Sequence, residues 1–475
     1  MTEFIGRQPQ LRRLDKMLRR VERQAGPGGR PGTALLMRGR RRVGKSRLVE
    51  EFVDRAGVPI VFFTASTRTT REEIDLFVAE AAASDLPGAA LFTGAHPDGW
   101  DAALRLLAAA LPTDGPSIVV FDEMPYLIEK DPAFEGTLQK LFDRELSRKP
   151  VLLIGIGSDL AVMEAMGTYG RPFYQRATEM VVPQLNPREV AAMLDLPAAE
   201  AFDAYLATGG LPLLCAEWEP GTDTAGYLAT CLADPLSALV VSGERSLAAE
   251  FPTEAQARRV LEAIGSGERT FTNIARAAGD IPGASLTRAL ALLTHKRIVA
   301  AETPLSTKPA NKDTRYRVTD PHLRLWLAFV GPHLAEIERG RGDRANRRLR
   351  ASWSSWRGRA VEPVIREALA LLPPERLPPG CETFGGYWTR TNDPEIDIVA
   401  ADRAPIAKHV TAVGSIKWLE GPFDHRDLAA LTVHRDRLPG AGPDTPLIAA
   451  SRSGITTTQG IDYAYGPQDL LTAWE

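Results

Sequence analysis

An apolar run, Ala34-Leu-Leu-Met37, leads into Gly39-Arg-Arg-Arg-Val-Gly44-Lys45-Ser46. Arg47-Leu-Val-Glu-Glu-Phe52 then continues with helical character. The order is strand, glycine-rich loop, helix, which belongs to a parallel α/β sheet. Such a loop curls successive backbone N–H groups around phosphates, and the next helix adds its N-terminus. Gly39 and Gly44 permit the tight turn. The backbone from Arg40, Arg41, Arg42 and Val43 to Arg47 would line the phosphates. Lys45 would reach the terminal phosphates, and Ser46 would coordinate Mg²⁺.

A second element should supply the acid on the metal side. Ser117-Ile-Val-Val-Phe121 is a short apolar strand ending in Asp122-Glu123. Asp122 is expected to hold Mg²⁺, and Glu123 to polarise an attacking water. A third strand, Val151-Leu-Leu-Ile154, runs through Gly155-Ile-Gly to Ser158. Ser158 is placed either to touch the γ-phosphate or to cap the next helix. Arg171-Pro-Phe-Tyr-Gln-Arg176 offers cations for developing phosphate charge, with Arg176 the candidate sensor or finger. Ile60-Val-Phe-Phe63 adds another parallel strand. Residues 1–185 thus read as an α/β sheet with helices on both faces.

With 475 residues the chain exceeds one hydrophobic core. Its formal charge of -3 excludes no partner class, because the charge is local: Arg38 to Arg42 and Arg339 to Arg350 are both strongly basic. The three cysteines, Cys215, Cys231 and Cys381, form neither a metal-ligand pattern nor a disulfide framework. The N-terminus lacks the pattern of a signal peptide, and no run approaches 18 unbroken apolar residues. A cytoplasmic protein without a membrane partner is expected.

Beyond the sheet, Glu189 to Leu194 and Ala198 to Thr208 read as helices. Gly209-Gly210-Leu-Pro212 stops the second. Residues 186–250 suggest a helical lid. Residues 251–330 pattern as three short helices, Ala255 to Ile264, Thr270 to Ala278 and Ser285 to Lys296. Strands at Ile298 to Glu302 and Thr314 to Val318 follow, with Lys308 and Lys312 in the loop between them and Arg315 on the second. That is a winged-helix arrangement. Thr287, Arg288, Thr294, His295 and Lys296 on the third helix could face DNA. Winged helices also serve as rigid spacers or docking modules.

Residues 331–475 read as a small α/β domain. A basic stretch and Trp353 and Trp356 precede a helix from Val361 to Leu371. Strands are expected at Phe384 to Thr389, Glu395 to Ala400, Val410 to Trp418 and Pro446 to Ala450, with a helix from His425 to Arg437. Glu362, Asp397, Ser415 and Lys417 form one constellation with potential chemistry. A metal nuclease wants carboxylates converging on Mg²⁺ and a lysine beside the scissile phosphate. Ser415 stands where the second acid belongs, and a serine is a weak ligand for Mg²⁺. Glu362 and Glu395 could partly compensate. The alternative is a degenerate site in which Asp397 and Lys417 form an ion pair.

These residues together resemble the archaeal-type P-loop ATPase family, related to the AAA and signal-transduction ATPases. The resemblance is carried by Phe4-Ile-Gly-Arg7, Gly39 to Ser46, Ile118 to Glu123, Gly157-Ser158, Gly209-Gly210-Leu-Pro212 and the domain order. It covers nearly the whole chain. The last domain resembles the DUF234 type, related to PD-(D/E)xK nucleases. The resemblance implies that Phe4 to Arg7 packs near the adenine. It also implies that Lys45, Ser46 and Asp122 hold ATP and Mg²⁺, and that Glu123 supports hydrolysis. Relatives often have an acid at Ser415, so the departure weakens any nuclease activity. The leading expectation is an ATP-driven switch that recognises double-stranded DNA or a protein partner. The alternatives are an ATP-regulated, Mg²⁺-dependent DNA nuclease and a protein scaffold in signalling or defence.

Overall fold

A computed structural model of the protein describes residues 4–25, 29–250, 255–309 and 313–475. The chain divides into two compact units, Met1–Gln184 and Leu185–Glu475.

The first unit is built on five strands: β1 Thr33–Arg38, β2 Ile60–Thr64, β3 Ser117–Asp122, β4 Val151–Gly157 and β5 Ala177–Val181. All pair in parallel, in the order β2-β3-β4-β1-β5. Strands β3 and β4 are buried at every residue. Burial on both faces explains why they read as unbroken apolar runs. Edge strand β5 exposes Thr178, Glu179 and Val181, so it lacks that signature, and sequence patterning passed over it. Helix α1, Gln8–Gln24, buries Leu11, Leu14, Met17 and Val21. Helix α2, Lys45–Ala56, follows β1. Phe63, Phe77, Trp100, Phe121 and Phe134 form an aromatic cluster, with Trp100 and Phe134 ring centroids 5.0 Å apart. The order β3-β4-β1 sets three strand ends side by side. Ligands of open α/β sheets bind in the crevice outside such carboxyl ends.

In the second unit the larger of the described cores runs from Val190 and Phe202 through Leu261, Leu286 and Trp326 to Ile365, Ile398 and Ile448. The residues expected to form a separate lid therefore share a core with the C-terminal segment. Helix Ala198–Thr208 ends at Gly209, φ 62°, as its glycine signal implied. Helices Ala255–Gly265, Phe271–Ala277 and Gly283–His295 precede an antiparallel hairpin of β6 Val299–Glu302 and β7 Arg315–Val318. The C-terminal sheet, ordered β12-β11-β10-β9-β8, comprises β8 Thr383–Trp388, β9 Glu395–Ala401, β10 Val410–Lys417, β11 Leu447–Ser451 and β12 Tyr463–Tyr465. Strands β8, β9 and β10 pair antiparallel; β10, β11 and β12 pair in parallel. Three-residue β12 is too short for periodicity to reveal.

The helix expected to begin at Val361 begins at Gly342 and runs to Leu371. It absorbs the basic stretch and keeps Pro363 in its interior. Proline removes an N–H and leaves the carbonyl four residues earlier without its helical donor. That carbonyl belongs to Arg359, and Arg324 Nη2 donates to it at 3.3 Å. A tertiary donor thus tolerates a residue that reads as a helix boundary. No single described helix is long and apolar enough to cross a membrane.

Candidate functional site

Strand β1 delivers the chain to Gly39 under steric constraint. A Cβ at Gly39 would lie 2.5 Å from the Val182 carbonyl oxygen, so only glycine fits. The loop then turns through Arg42 at φ 67° and Gly44 at φ 84° before α2 begins at Lys45. Lys45 is buried, and its Nζ donates to the carbonyls of Gly39 at 2.9 Å and Arg40 at 3.1 Å. Burial lowers its pKa, while Glu123 and Asp122 oppose that shift.

Ser46 Oγ donates to Asp122 Oδ2 at 2.6 Å, joining the loop helix to the end of β3. The other oxygen, Oδ1, accepts the Glu123 N–H at 2.9 Å. Burial raises the Asp122 pKa despite the Ser46 bond. Glu123 adopts φ 54°, a left-handed conformation unusual for a residue with a side chain. Its Oε2 accepts the Ser158 hydroxyl at 2.9 Å and, more weakly, the Ser158 N–H at 3.4 Å. The three strand ends therefore bring Lys45, Ser46, Asp122, Glu123 and Ser158 together. A hydroxyl and a buried carboxylate in contact form the hard oxygen donor set that Mg²⁺ prefers. That donor chemistry fits the ion.

The surrounding arginines divide. Arg41 Nη2 donates to the Tyr126 hydroxyl at 3.2 Å. Arg47 is exposed and pairs with Glu50 at 3.5 Å and Glu51 at 3.6 Å on α2. Its side chain is thus turned along the helix, so any phosphate contact would fall to its backbone. Arg40 is half-buried and Arg42 exposed, while Val43 is buried. Arg176, the candidate finger, is held away from that role in this conformation. Its Nε donates to Asp143 at 3.0 Å and its Nη1 to the Pro172 carbonyl at 3.0 Å.

Arg7, in the segment that the resemblance places near the adenine, contacts the phosphate loop. Arg7 is buried, and its Nη2 donates to the Val43 carbonyl at 3.0 Å. Its Nη1 reaches the Gln184 carbonyl at 3.4 Å. The Phe4 to Arg7 segment therefore braces the phosphate loop from behind. Its signal in the sequence is the Phe4-Ile-Gly-Arg7 start.

The C-terminal constellation is arranged differently from a metal nuclease. Pairing of Gly414 with Ile398 puts Ser415 opposite Asp397. Asp397 Oδ2 accepts Ser415 Oγ at 3.0 Å and the Ile416 N–H at 2.8 Å. Lys417 does not pair with Asp397, contrary to the degenerate-site expectation. Its Nζ lies 2.8 Å from Asp427 on helix His425–Asp436. Glu362 faces a cleft shared with Arg366, Arg315, Arg324, Glu395 and Asp397. Burial, reinforced by Asp397, pushes Glu362 up to about 7. Arg366 Nη1 stands 3.7 Å from Glu362 and donates to the Asp397 carbonyl at 2.9 Å. No group of three or more His, Cys, Asp or Glu side chains among the described residues could hold a metal ion. Arginines interleave with the acids of this cleft, Arg366 standing beside both Glu362 and Asp397.

The hairpin is also turned inward. Arg315 is buried, donates to Glu395 at 2.5 Å and Asn392 at 2.6 Å, and lies 4.4 Å over the Trp388 ring. It is committed to the C-terminal sheet. Lys308 is exposed, and Lys312 lies outside the described residues. On helix Gly283–His295, Thr287, Arg288, Thr294 and His295 are exposed; the adjoining Lys296 is half-buried.

Residues 326–428 match the family DUF234, described as archaeal and bacterial proteins of unknown function. An uncharacterized protein of Methanocaldococcus jannaschii is 26% identical over 290 residues, 60% of this chain and 64% of that relative. Among solved structures, the Walker-type ATPase of Pyrococcus abyssi is 21% identical, with a TM-score of 0.49. That likeness covers 68% of this chain and 96% of the other. The Aeropyrum pernix ORC2 protein, in ADPNP–ADP complexes, is 15% identical, with a TM-score of 0.45. It covers 71% of this chain and 96% of its own. At these identities and scores, function must be argued from the residues of this chain.

Proposed function

We propose that the first unit binds Mg-ATP and slowly hydrolyses it, and that the protein is a nucleotide-dependent switch. The observation that carries this reading is the 2.6 Å bond from Ser46 on the loop helix to Asp122 at the end of β3. It joins the two halves of a nucleotide site that lie far apart in sequence. Mg²⁺, held by Ser46 and Asp122, would neutralise phosphate charge and orient the phosphate oxygens. The loop N–H groups from Gly39 to Ser46 bind the phosphates, and Lys45 leaves its carbonyl contacts for their terminal oxygens. Glu123, oriented by Ser158, accepts a hydrogen bond from the attacking water and aligns it. Arg176 would assist only after leaving Asp143.

The output is recognition by the second unit. Its best candidate surface is helix Gly283–His295 of a winged-helix module, where exposed Arg288 and neighbouring polar groups suit double-stranded DNA. A protein partner is the other occupant of the same output. Cutting is disfavoured, because Ser415 stands in place of the second strand acid and Arg315, Arg324 and Arg366 interleave with Glu362, Glu395 and Asp397 in their cleft. A cytoplasmic location agrees with Cys215, Cys231 and Cys381 all being free thiols.

Lys45→Ala tests the reading. Titration with a fluorescent ATP analogue should show at least a hundredfold weaker binding than the parent protein. Unchanged affinity would remove the nucleotide site.

A further inference from the structure

Helix α1 carries a charge pattern that the nucleotide site does not use. At about 100° per residue, Arg12, Arg13, Lys16, Arg19, Arg20 and Arg23 fall within about 120° of arc. Asp15 and Glu22 fall outside that arc, on the opposite flank. Leu11, Leu14, Met17 and Val21 form the buried stripe between the flanks. All six cations are exposed. None of them has a carboxylate within ion-pair distance among the described residues, although Arg38, Arg47, Arg55, Arg71 and Arg105 of the same unit are all paired.

The adjoining strand does not neutralise the patch. Arg13 reaches β5 only through the Glu179 backbone carbonyl, at 3.1 Å. The Glu179 carboxylate is taken by Arg38, at 3.3 Å. Arg12, Lys16, Arg20 and Arg23 line a groove against Thr178.

We propose that this face of α1 binds the phosphate backbone of a nucleic-acid duplex without reading its sequence. From Arg12 to Arg23 the stripe runs about 16 Å along the helix. A duplex presents about ten phosphate charges over that length. Five of the six cations are arginines, whose planar forks suit phosphate oxygens. The patch has no aromatic side chain, whereas protein interfaces bury aromatic anchors and deplete charge at their centre. These features favour a phosphate backbone over an acidic protein. The surface lies in the ATPase unit, so it is separate from the recognition helix proposed above.

Full-length protein and the variant R12Q/K16Q/R20Q/R23Q would be titrated against a labelled random-sequence duplex between 50 and 200 mM KCl. Glutamine keeps helix propensity, and an unchanged thermal midpoint would show that the fold is intact. At 50 mM KCl the variant should bind at least tenfold more weakly. Its slope of log affinity against log salt should fall by about 3–4, about 0.9 per lost phosphate contact. Arg288→Gln, on the recognition helix, should lower the slope by no more than about 1. Equal affinity and slope for the quadruple variant would overturn the proposal. So would polyglutamate binding the parent protein more tightly than the duplex does.

Discussion

Glu123 combines a strained backbone with an anchored side chain, an arrangement often stored at functional sites. Its φ is 54°, and its carboxylate accepts the Ser158 hydroxyl. Glu123→Gln preserves size and the accepting oxygen but removes the negative charge. Single-turnover hydrolysis should fall by at least about a hundredfold, with ATP affinity changed by less than about threefold. Parent-like hydrolysis would exclude Glu123 from aligning water. Glu362 yields a second expectation. Its pKa is raised from 4.5 in an unfolded chain to about 7 in the folded protein. Between those values the folded state keeps a proton that the unfolded chain has lost. The stability this provides is complete below about pH 4.5 and disappears as pH rises through 7. Glu362→Gln should therefore gain relative to the parent by about 1–3 kcal/mol between pH 5 and pH 8 in urea unfolding. A difference independent of pH would mean that Glu362 titrates normally. Lys45, Ser46 and Asp122 were legible in sequence because loop and strand signatures are local. The partner of Lys417 was not, because Asp427 comes from a later helix that no spacing rule connects to β10.

At the scale of elements, helix Ala198–Thr208 shows what its pattern could not. Its sequence marks a capped helix but not the surface it packs on. Asp203, 3% exposed, supplies the answer. It accepts from Arg357 on the long helix at 2.9 Å and from Arg452, just after β11, at 2.9 Å. Arg357 and Arg452 then share Glu420, at 2.7 and 3.2 Å. This cluster fastens the expected lid helix to the long helix and to the C-terminal sheet. Removing one member of a buried ionic group leaves its partners uncompensated, at about 3–5 kcal/mol. Asp203→Ala should lower stability of the second unit by about that amount in urea unfolding. A loss below about 1 kcal/mol would show that water reaches the arginines. The long helix carries the same lesson: it begins at Gly342 rather than at Val361, and Arg324 supports the turn that Pro363 weakens. Apolar patterning located most strands of both sheets to within a residue or two. It missed exposed β5 and short β12, where burial leaves little trace.

For the whole molecule, each unit is compact by itself: Val61, Phe121 and Leu153 share a cluster in the first, and Phe202, Leu286 and Ile398 share one in the second. Chains of more than one compact unit depart from a single two-state transition. Calorimetry should therefore resolve two unfolding events. Mg-ATP that binds only the folded first unit would stabilise it by about 2.7 kcal/mol at a hundred times its Kd. For a unit of this size that raises Tm by about 5–10 °C. The other transition should move by less than about 1 °C. Asp203→Ala should do the reverse, lowering the second transition and leaving the ligand-sensitive one in place. Lys45→Ala should leave both transitions present but abolish the nucleotide shift. A single transition that moves with both substitutions would mean that the units unfold as one. Nucleotide occupancy would then be coupled to the second unit directly through stability.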